Sequence, residues 1–341
     1  MLNAAIVGLG WWGRTLVEAV QGSGDAIRFV AGATRTVTPA AQTFVVQHDI
    51  RLVDDWQLLL EDQGVDAIIL ATPHSMHADQ VVECARAGKH VFCEKPFALT
   101  KADAQRAVDA VTHAGVTLGL GYNRRFHPEM TSLRDRIRSG ELGTVLHAEA
   151  TMTVPNALFL QPSQWRADRD ETPCGGLTPL GVHAIDGMID LCGPIEQVFC
   201  QSTRRVVHVN TDDTTSMLFR MKSGSTGYLG TMMATGPGFS FQVFGSKGWV
   251  RLDGMTHVAG ASSEERRTRL FSACKFQPIK GEAQIWQAAA HDVTRAALEA
   301  FAVAAAGGPA FPIPLDEMVH GAAVTEAVIR SAASGLPEKV S

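Results

Sequence analysis

The sequence predicts an α/β protein: a doubly wound parallel sheet first, then an α+β domain built on an open, mostly antiparallel sheet. Three observations predict this. Up to Gly121, short apolar runs alternate with helical stretches. The first of those runs leads straight into Gly8-Leu9-Gly10-Trp11-Trp12-Gly13. Beyond Tyr122, strand-like segments dominate and are joined by glycine-containing links.

Ala4–Val7 is the first strand, and a helix follows around Arg14–Val20 until Gly22-Ser23-Gly24. Ile27–Ala33, rich in small and β-branched residues, is the second strand. A helix begins near Thr38-Pro39, with Thr38 as N-cap and Pro39 at the first helical position. Asp66–Thr72 is almost continuously apolar, as a parallel strand covered on both faces must be. His77–Ala87 is helical and stops at Gly88; Lys89–Cys93 is a strand; Thr100–His113 is helical and stops at Gly115; Val116–Gly121 is a strand. Repeated β-α-β units with short links imply right-handed crossovers and a parallel sheet. Pro128–Ser139 is an amphipathic helix closed by Gly140. Strands are then expected at Thr144–Thr153, Ile195–Arg205, Thr214–Met221, Thr226–Ala234, Phe239–Phe244 and Trp249–Leu252. Residues 222–225 and 245–248 are the hairpin links. Two Ala-rich helices, Ile285–Ala305 and Leu315–Ser334, close the chain. Residues 1–121 form the dinucleotide-type domain and 122–341 a substrate-binding and oligomerisation domain, whose final helices can pack back on the first.

The 341 residues suffice for two cores, and 45% hydrophobic with 19% charged residues is ordinary for a soluble globular chain. A net charge of −5 gives no reason to expect nucleic acid, and no basic cluster or long apolar run suggests a membrane. Six cysteines without C-x-x-C pairing or metal-ligand spacing fit reduced thiols in a cytoplasm, with no metal site. The opening Leu2–Val7 has no basic n-region and reads as a buried strand rather than a signal peptide.

The glycine loop has a direct physical purpose. Gly8 permits the tight turn, Gly10 lets the backbone approach a pyrophosphate, and Gly13 allows close helix–strand packing, while the helix N-terminus offers free N–H groups. Trp11 and Trp12 lie within this cofactor loop. About 20 residues on, an acid would bind the ribose hydroxyls of NAD. Here the strand ends Ala33-Thr34-Arg35-Thr36, with no carboxylate and with Arg35 where a 2′-phosphate would be met. NADP is therefore favoured over NAD. Ala71-Thr72-Pro73-His74-Ser75-Met76-His77 and Cys93-Glu94-Lys95-Pro96 end successive strands at the ligand-binding edge of such a sheet.

These residues resemble the glucose–fructose oxidoreductase / inositol dehydrogenase (Gfo/Idh/MocA-type) family. The resemblance runs through Gly8–Gly13, Ala71–Pro73 with His77, Glu94-Lys95-Pro96, Gly121–Phe126, Trp165-Arg166 and Gly181-Val182-His183 with Asp186. It implies a Rossmann domain, a second domain with an open sheet, and homodimers or homotetramers built through that sheet. It also implies a cis Lys95–Pro96 peptide, Lys95 and His183 facing the reacting carbon, Glu94 and Asn123 near the nicotinamide, and Arg166 near cofactor or substrate. The cofactor set is then Gly8, Gly10, Trp11, Trp12, Gly13, Thr34, Arg35, Ala71, Thr72, Pro73, His77, Glu94, Lys95, Asn123 and Arg166. Substrate falls to Lys95, Arg124, Trp165 and His183, with His74, Arg125, His127 and Arg169 adding cationic and aromatic character around the cleft.

The chemistry suits such groups. A histidine takes the proton of a secondary alcohol near neutral pH, and an ammonium stabilises the developing alkoxide. One departure stands out: where the family carries Asp four residues before the His, this chain has Pro179, leaving Thr178, Asp186 or Asp190 as hydrogen-bonding candidates. The expectation is an NAD(P)-dependent dehydrogenase or reductase of a sugar, polyol or cyclic diol. The alternatives are a dehydrogenase of an aromatic-derived dihydrodiol or semialdehyde, and an NADP-binding sensor or scaffold with little catalysis.

Overall fold

In the computed structural model, which describes residues 1–255 and 261–341, two compact units arise from an interrupted chain path. The first comprises Met1–Asn123 and Thr294–Val319; the second comprises Arg124–Val293 and His320–Ser341. The second unit is therefore not one continuous stretch from residue 122.

The first unit contains β1 (Leu2–Val7), α1 (Trp11–Val20), β2 (Ile27–Ala33), α2 (Pro39–Gln47), β3 (Arg51–Val53), α3 (Leu58–Glu61), β4 (Ala67–Leu70), α4 (His77–Arg86), β5 (His90–Cys93), α5 (Lys101–Ala114) and β6 (Leu118–Leu120). The six strands are parallel in the order β3-β2-β1-β4-β5-β6. The order reverses between β1 and β4, and in open α/β sheets ligands bind at that switch, beyond the carboxyl ends of the strands. All four side chains of β4 are buried, which explains its unbroken apolar run. Thr38 accepts a hydrogen bond from the Ala41 N–H at the start of α2, with Pro39 at the first position, and Thr100 caps α5 in the same way. β3 and α3 lie between the second and third predicted strands, in a stretch whose sequence carries no clear period.

The second unit contains α6 (Pro128–Arg138), β7 (Val145–Thr153), α7 (Val182–Cys192), β8 (Ile195–Thr203), β9 (Thr214–Met221), β10 (Thr226–Met232), β11 (Gly238–Gly245), β12 (Gly248–Gly254), α8 (Ser263–Thr268), β13 (Phe271–Pro278) and β14 (Gln284–Gln287). The chain closes with α9 (Val293–Ala305), α10 (Leu315–Ser334) and β15 (Glu338–Lys339). The nine strands run β14-β13-β12-β11-β7-β10-β9-β8-β15, antiparallel except for β7 with β10. Alternate residues face inward: Ala148, Ala150 and Met152 of β7, Met217 and Phe219 of β9, and Phe239, Phe241 and Val243 of β11 are buried in one core with Ile185, Met188 and Val324. The outer residues of the same strands are half-buried or exposed, apart from buried Gln242 of β11.

The expected helix Ile285–Ala305 is corrected by the structure. Gln284–Gln287 pairs with β13, and helix begins only at Val293. Ladder pairing outweighs the helical propensity of the Ala-rich run that follows. In the first unit, α9 packs through Phe301, edge-on to Phe92 with centroids 5.7 Å apart. Gly119 makes the room, since a Cβ there would lie 2.9 Å from the Phe301 ring.

Candidate active site

In the first unit the glycine loop joins β1 to α1 at the switch point. Gly8 has φ +101°, a region L side chains avoid, and a Cβ there would lie 2.5 Å from the Ala71 carbonyl oxygen. A Cβ on Gly13 would lie 1.8 Å from the Gly8 oxygen, so only glycine lets helix and loop touch. Gly10 faces open space, with nothing within 4 Å of where its Cβ would be. It is also the N-cap of α1, whose first turn has no side-chain cap and no acidic residue. The uncapped N–H groups and the positive end of the helix beside an open, Cβ-free wall fit a dinucleotide pyrophosphate. Trp11, 43% exposed, and half-buried Trp12 occupy that first turn with ring centroids 5.4 Å apart. Beyond β2, Thr34 is half-buried and Arg35 exposed, with no carboxylate between Ala33 and Thr36.

Two strand-end loops are tied together one and two strands away. Ala71, Thr72 and Pro73 follow β4 and are partly accessible, and the Thr72 hydroxyl donates to the Gln80 amide oxygen at 2.6 Å. His77, assigned from the sequence to the cofactor, is fully buried. Its Nδ1 lies 2.7 Å from the Pro96 carbonyl oxygen and its Nε2 3.1 Å from that of Thr72. That expectation is corrected: with no accessible surface, His77 holds the loop after β4 against the residue next to Lys95 and works from behind.

Glu94 and Lys95 extend β5, the Glu94 N–H bonding to the Leu70 oxygen at 2.9 Å. Glu94 is buried and Lys95 half-buried; the Lys95 N–H donates to Glu94 Oε2 at 3.2 Å, and the Lys95–Pro96 peptide is cis. Burial raises the Glu94 carboxyl above its ordinary range, opposed by the Lys95 charge, the Trp12 indole and the Lys95 N–H. Gly121 makes room for this carboxylate, since a Cβ there would lie 2.7 Å from Oε1. Asn123 is anchored to the start of α9, its Nδ2 donating to Thr294 Oγ1 at 3.3 Å. The glycine loop, Thr34–Arg35, Ala71–Pro73, Glu94–Lys95 and Asn123 thus share one sheet edge.

In the second unit His183 stands in the first turn of α7, half-buried, directly after a wide π turn at Leu177–Gly181 that contains buried Thr178 and half-buried Pro179. One turn along α7, Asp186 is clasped by Arg125. Arg125 Nε donates to both carboxylate oxygens at 2.9 Å, Nη2 donates to Oδ1 at 2.7 Å, and both side chains are 4% exposed. Arg134 donates to both oxygens of Asp190, so this carboxylate is committed to arginine.

The expected ring of cationic residues resolves into different duties. Arg125 is a buried ion-pair partner and Arg169 pairs with Asp212 at 2.8 Å. His127 caps α6, its Nδ1 accepting from the Glu129 N–H at 3.1 Å, and His74 is buried. Trp165 and Arg166 stack, with the guanidinium 4.1 Å from the ring centroid. Arg124 lies over Phe239 at 4.9 Å. Sequence reasoning missed Phe239 and the Arg125–Asp186–Asp190–Arg134 chain; the pairing of a double Arg with acids spaced four apart on a helix was the available signal. Among the described residues no group of three or more His, Cys, Asp or Glu side chains is placed to hold a metal ion, and no helix is long and apolar enough to cross a membrane.

Comparison with known proteins agrees with this geometry. Residues 2–122 match the family model described as an oxidoreductase family with an NAD-binding Rossmann fold, and residues 130–251 match the GFO/IDH/MocA C-terminal domain. The chain is 26% identical over 279 residues to the myo-inositol 2-dehydrogenase of Thermotoga maritima, covering 79% of this chain and 80% of that protein. It is 32% identical over 206 residues to the rhizopine catabolism protein MocA of Rhizobium meliloti, covering 56% and 60%. Among solved structures, aldose-aldose oxidoreductase from Caulobacter crescentus in complex with glycerol matches with a TM-score of 0.84 at 25% identity, over 99% of both chains.

Proposed function

Since the chain belongs to the GFO/IDH/MocA family of NAD-binding oxidoreductases, we propose that Lys95 and His183 carry out its reaction on a CH–OH group of a sugar or cyclic polyol. The enzyme is a nicotinamide-dependent dehydrogenase or reductase of such donors. One observation carries the residue assignment: Lys95 ends β5 two strands from the glycine loop, on the same carboxyl edge, held there by buried His77 through Pro96.

The backbone N–H groups of Gly10–Gly13 and the start of α1 bind the pyrophosphate, and Arg35 receives a 2′-phosphate, which favours NADP. When bound, the nicotinamide ring supplies the hydride acceptor or donor. The Lys95 ammonium stabilises negative charge on the substrate oxygen as its proton departs. His183 takes that proton in oxidation and returns it in reduction. Arg125 holds Asp186 and with it the first turns of α7, fixing the direction in which the imidazole is presented. Glu94, with its raised pKa, lies beneath Lys95 and sets the charge balance there.

The outer face of the nine-stranded sheet supports assembly with further copies. Phe199, Leu218 and Tyr228 are neighbours across β8, β9 and β10, and Leu218 is 54% exposed.

The test is turnover of a panel of sugars, inositols and cyclic diols, followed at the nicotinamide absorbance band. Lys95→Ala and His183→Ala each lower kcat by about two orders of magnitude or more while cofactor affinity holds. Wild-type rates in either variant remove that residue from the mechanism.

A further inference from the structure

Arg124 and Arg125 are adjacent in sequence and opposite in circumstance. Arg125 has two carboxylates. Arg124 Nε and Nη1 are buried, and neither has a hydrogen-bond partner among the described residues. The guanidinium rests on the face of Phe239, and burial lowers its pKa to about 9. A ring face offsets only part of the cost of desolvating an unpaired cation.

Among the described residues of the second unit, the acids of this region are already committed elsewhere. Asp186 and Asp190 serve Arg125 and Arg134, Asp212 serves Arg169 and the Ser202 hydroxyl, and Asp213 accepts backbone N–H groups of residues 205–207. With Phe239 against one face, the guanidinium presents its in-plane N–H edge, which matches the two oxygens of a carboxylate. The residue as a whole is half-buried, while Nε and Nη1 themselves are closed to solvent, so an anion would meet them in a protein-lined seat and not at the surface. Through Arg125 it is also one residue from the clasp on the helix turn after His183.

We propose that Arg124 determines substrate class by receiving a carboxylate, so that the alcohol oxidised belongs to a sugar acid or hydroxylated ring acid rather than a neutral polyol. The substrate assignment rests on the reading of His183 as a reacting group; the anion site does not.

The experiment measures binding apart from turnover. Cyclohexanecarboxylate and cyclohexanemethanol are titrated into the full-length protein, with calorimetry and the Arg side-chain N–H resonances as readouts. The acid is expected to bind at least about tenfold tighter than the alcohol and to shift the Arg124 Nε–H signal. Arg124→Gln is expected to weaken the acid by about 10- to 100-fold, with Arg124→Lys between the two and NADP affinity unchanged. Equal binding of acid and alcohol, or undiminished acid binding in Arg124→Gln, overturns the proposal. Loss of acid binding under saturating NADP overturns the substrate assignment, because the site is then filled by cofactor phosphate. Turnover of neutral polyols that depends on Lys95 and His183 but not on Arg124 defeats this inference while leaving the catalytic reading intact. Acid binding at Arg124 with wild-type rates in the Lys95 and His183 variants does the reverse.

Discussion

Replacing Arg125 by Met would isolate the interaction that orients the helix of His183. The three short hydrogen bonds to Asp186 vanish, and a carboxylate only 4% exposed loses the guanidinium that clasps it. Asp190 keeps Arg134, so the loss of this one clasp sets the magnitude, about 3–5 kcal/mol for breaking one side of a buried pair. Asp186→Leu strands the Arg125 guanidinium instead, although Asp190 lies 3.5 Å from Nη1 and softens that loss. The double variant has no stranded charge, and a buried pair exchanged for apolar groups of similar volume is often neutral. Its cost is therefore expected to fall below that of Arg125→Met alone, a coupling of about 2 kcal/mol or more. Urea unfolding supplies the energies, amide exchange along α7 localises them, and NADPH titration reports whether the first unit is intact. Single-variant losses below about 1 kcal/mol, or a double variant equal to the sum of the singles, would refute the argument.

Arg35→Ala is expected to weaken NADPH about 10- to 100-fold and NADH hardly at all; equal loss of both, measured as dissociation constants, argues against a 2′-phosphate contact. His127 has its pKa lowered from 6.5 to about 4 by burial and by the neighbouring His291, so the folded protein binds fewer protons than the unfolded chain across that window. Its contribution, about 3 kcal/mol, is complete above pH 6.5 and is lost as pH falls through 4. His127→Asn keeps a cap acceptor, and its stability should therefore vary less between pH 6.5 and 4 in urea titrations; an unchanged slope removes the assignment. Leu218→Glu is expected to shift the solution mass toward monomer by light scattering. A wild-type monomer would dismiss self-association through this face.

Local physics made the first unit readable. Gly8 needs positive φ, Gly13 needs contact with the loop oxygen, and the buried Ala67–Leu70 run can only be a covered parallel strand. The end of the second unit was less legible because Gln284–Gln287 is short and flanks Ala288–Ala290, so partner strand β13 decides its state. Lys95 and His183 were marked by their surroundings in sequence. Arg125 was placed only among the cationic residues around the cleft, because its partners lie 61 and more residues away and an arginine reads as solvated until its carboxylates are seen. His77 shows the reverse error: its place beside a ligand edge suggested contact, whereas both ring nitrogens face backbone oxygens inside the protein.

Pro179 is where the resemblance and this chain part, and the structure separates shape from charge there. In the π turn, the Leu180 and Gly181 N–H groups both reach the Gly176 oxygen, at 3.1 and 2.9 Å. The ring closes from residues 180 and 181, so the donor that proline lacks is not required at 179. The turn that delivers His183 therefore survives the exchange, and what the exchange removes is one negative charge near the imidazole. On the proposed reading of His183 as the base, an imidazole that takes up the alcohol proton is less stabilised without it. A substrate carboxylate held by Arg124 would bring a negative charge to this unit only while substrate is bound. On that account, loss of the aspartate and retention of an unpaired Arg124 are two sides of one arrangement, in which the acid needed near His183 arrives with the substrate.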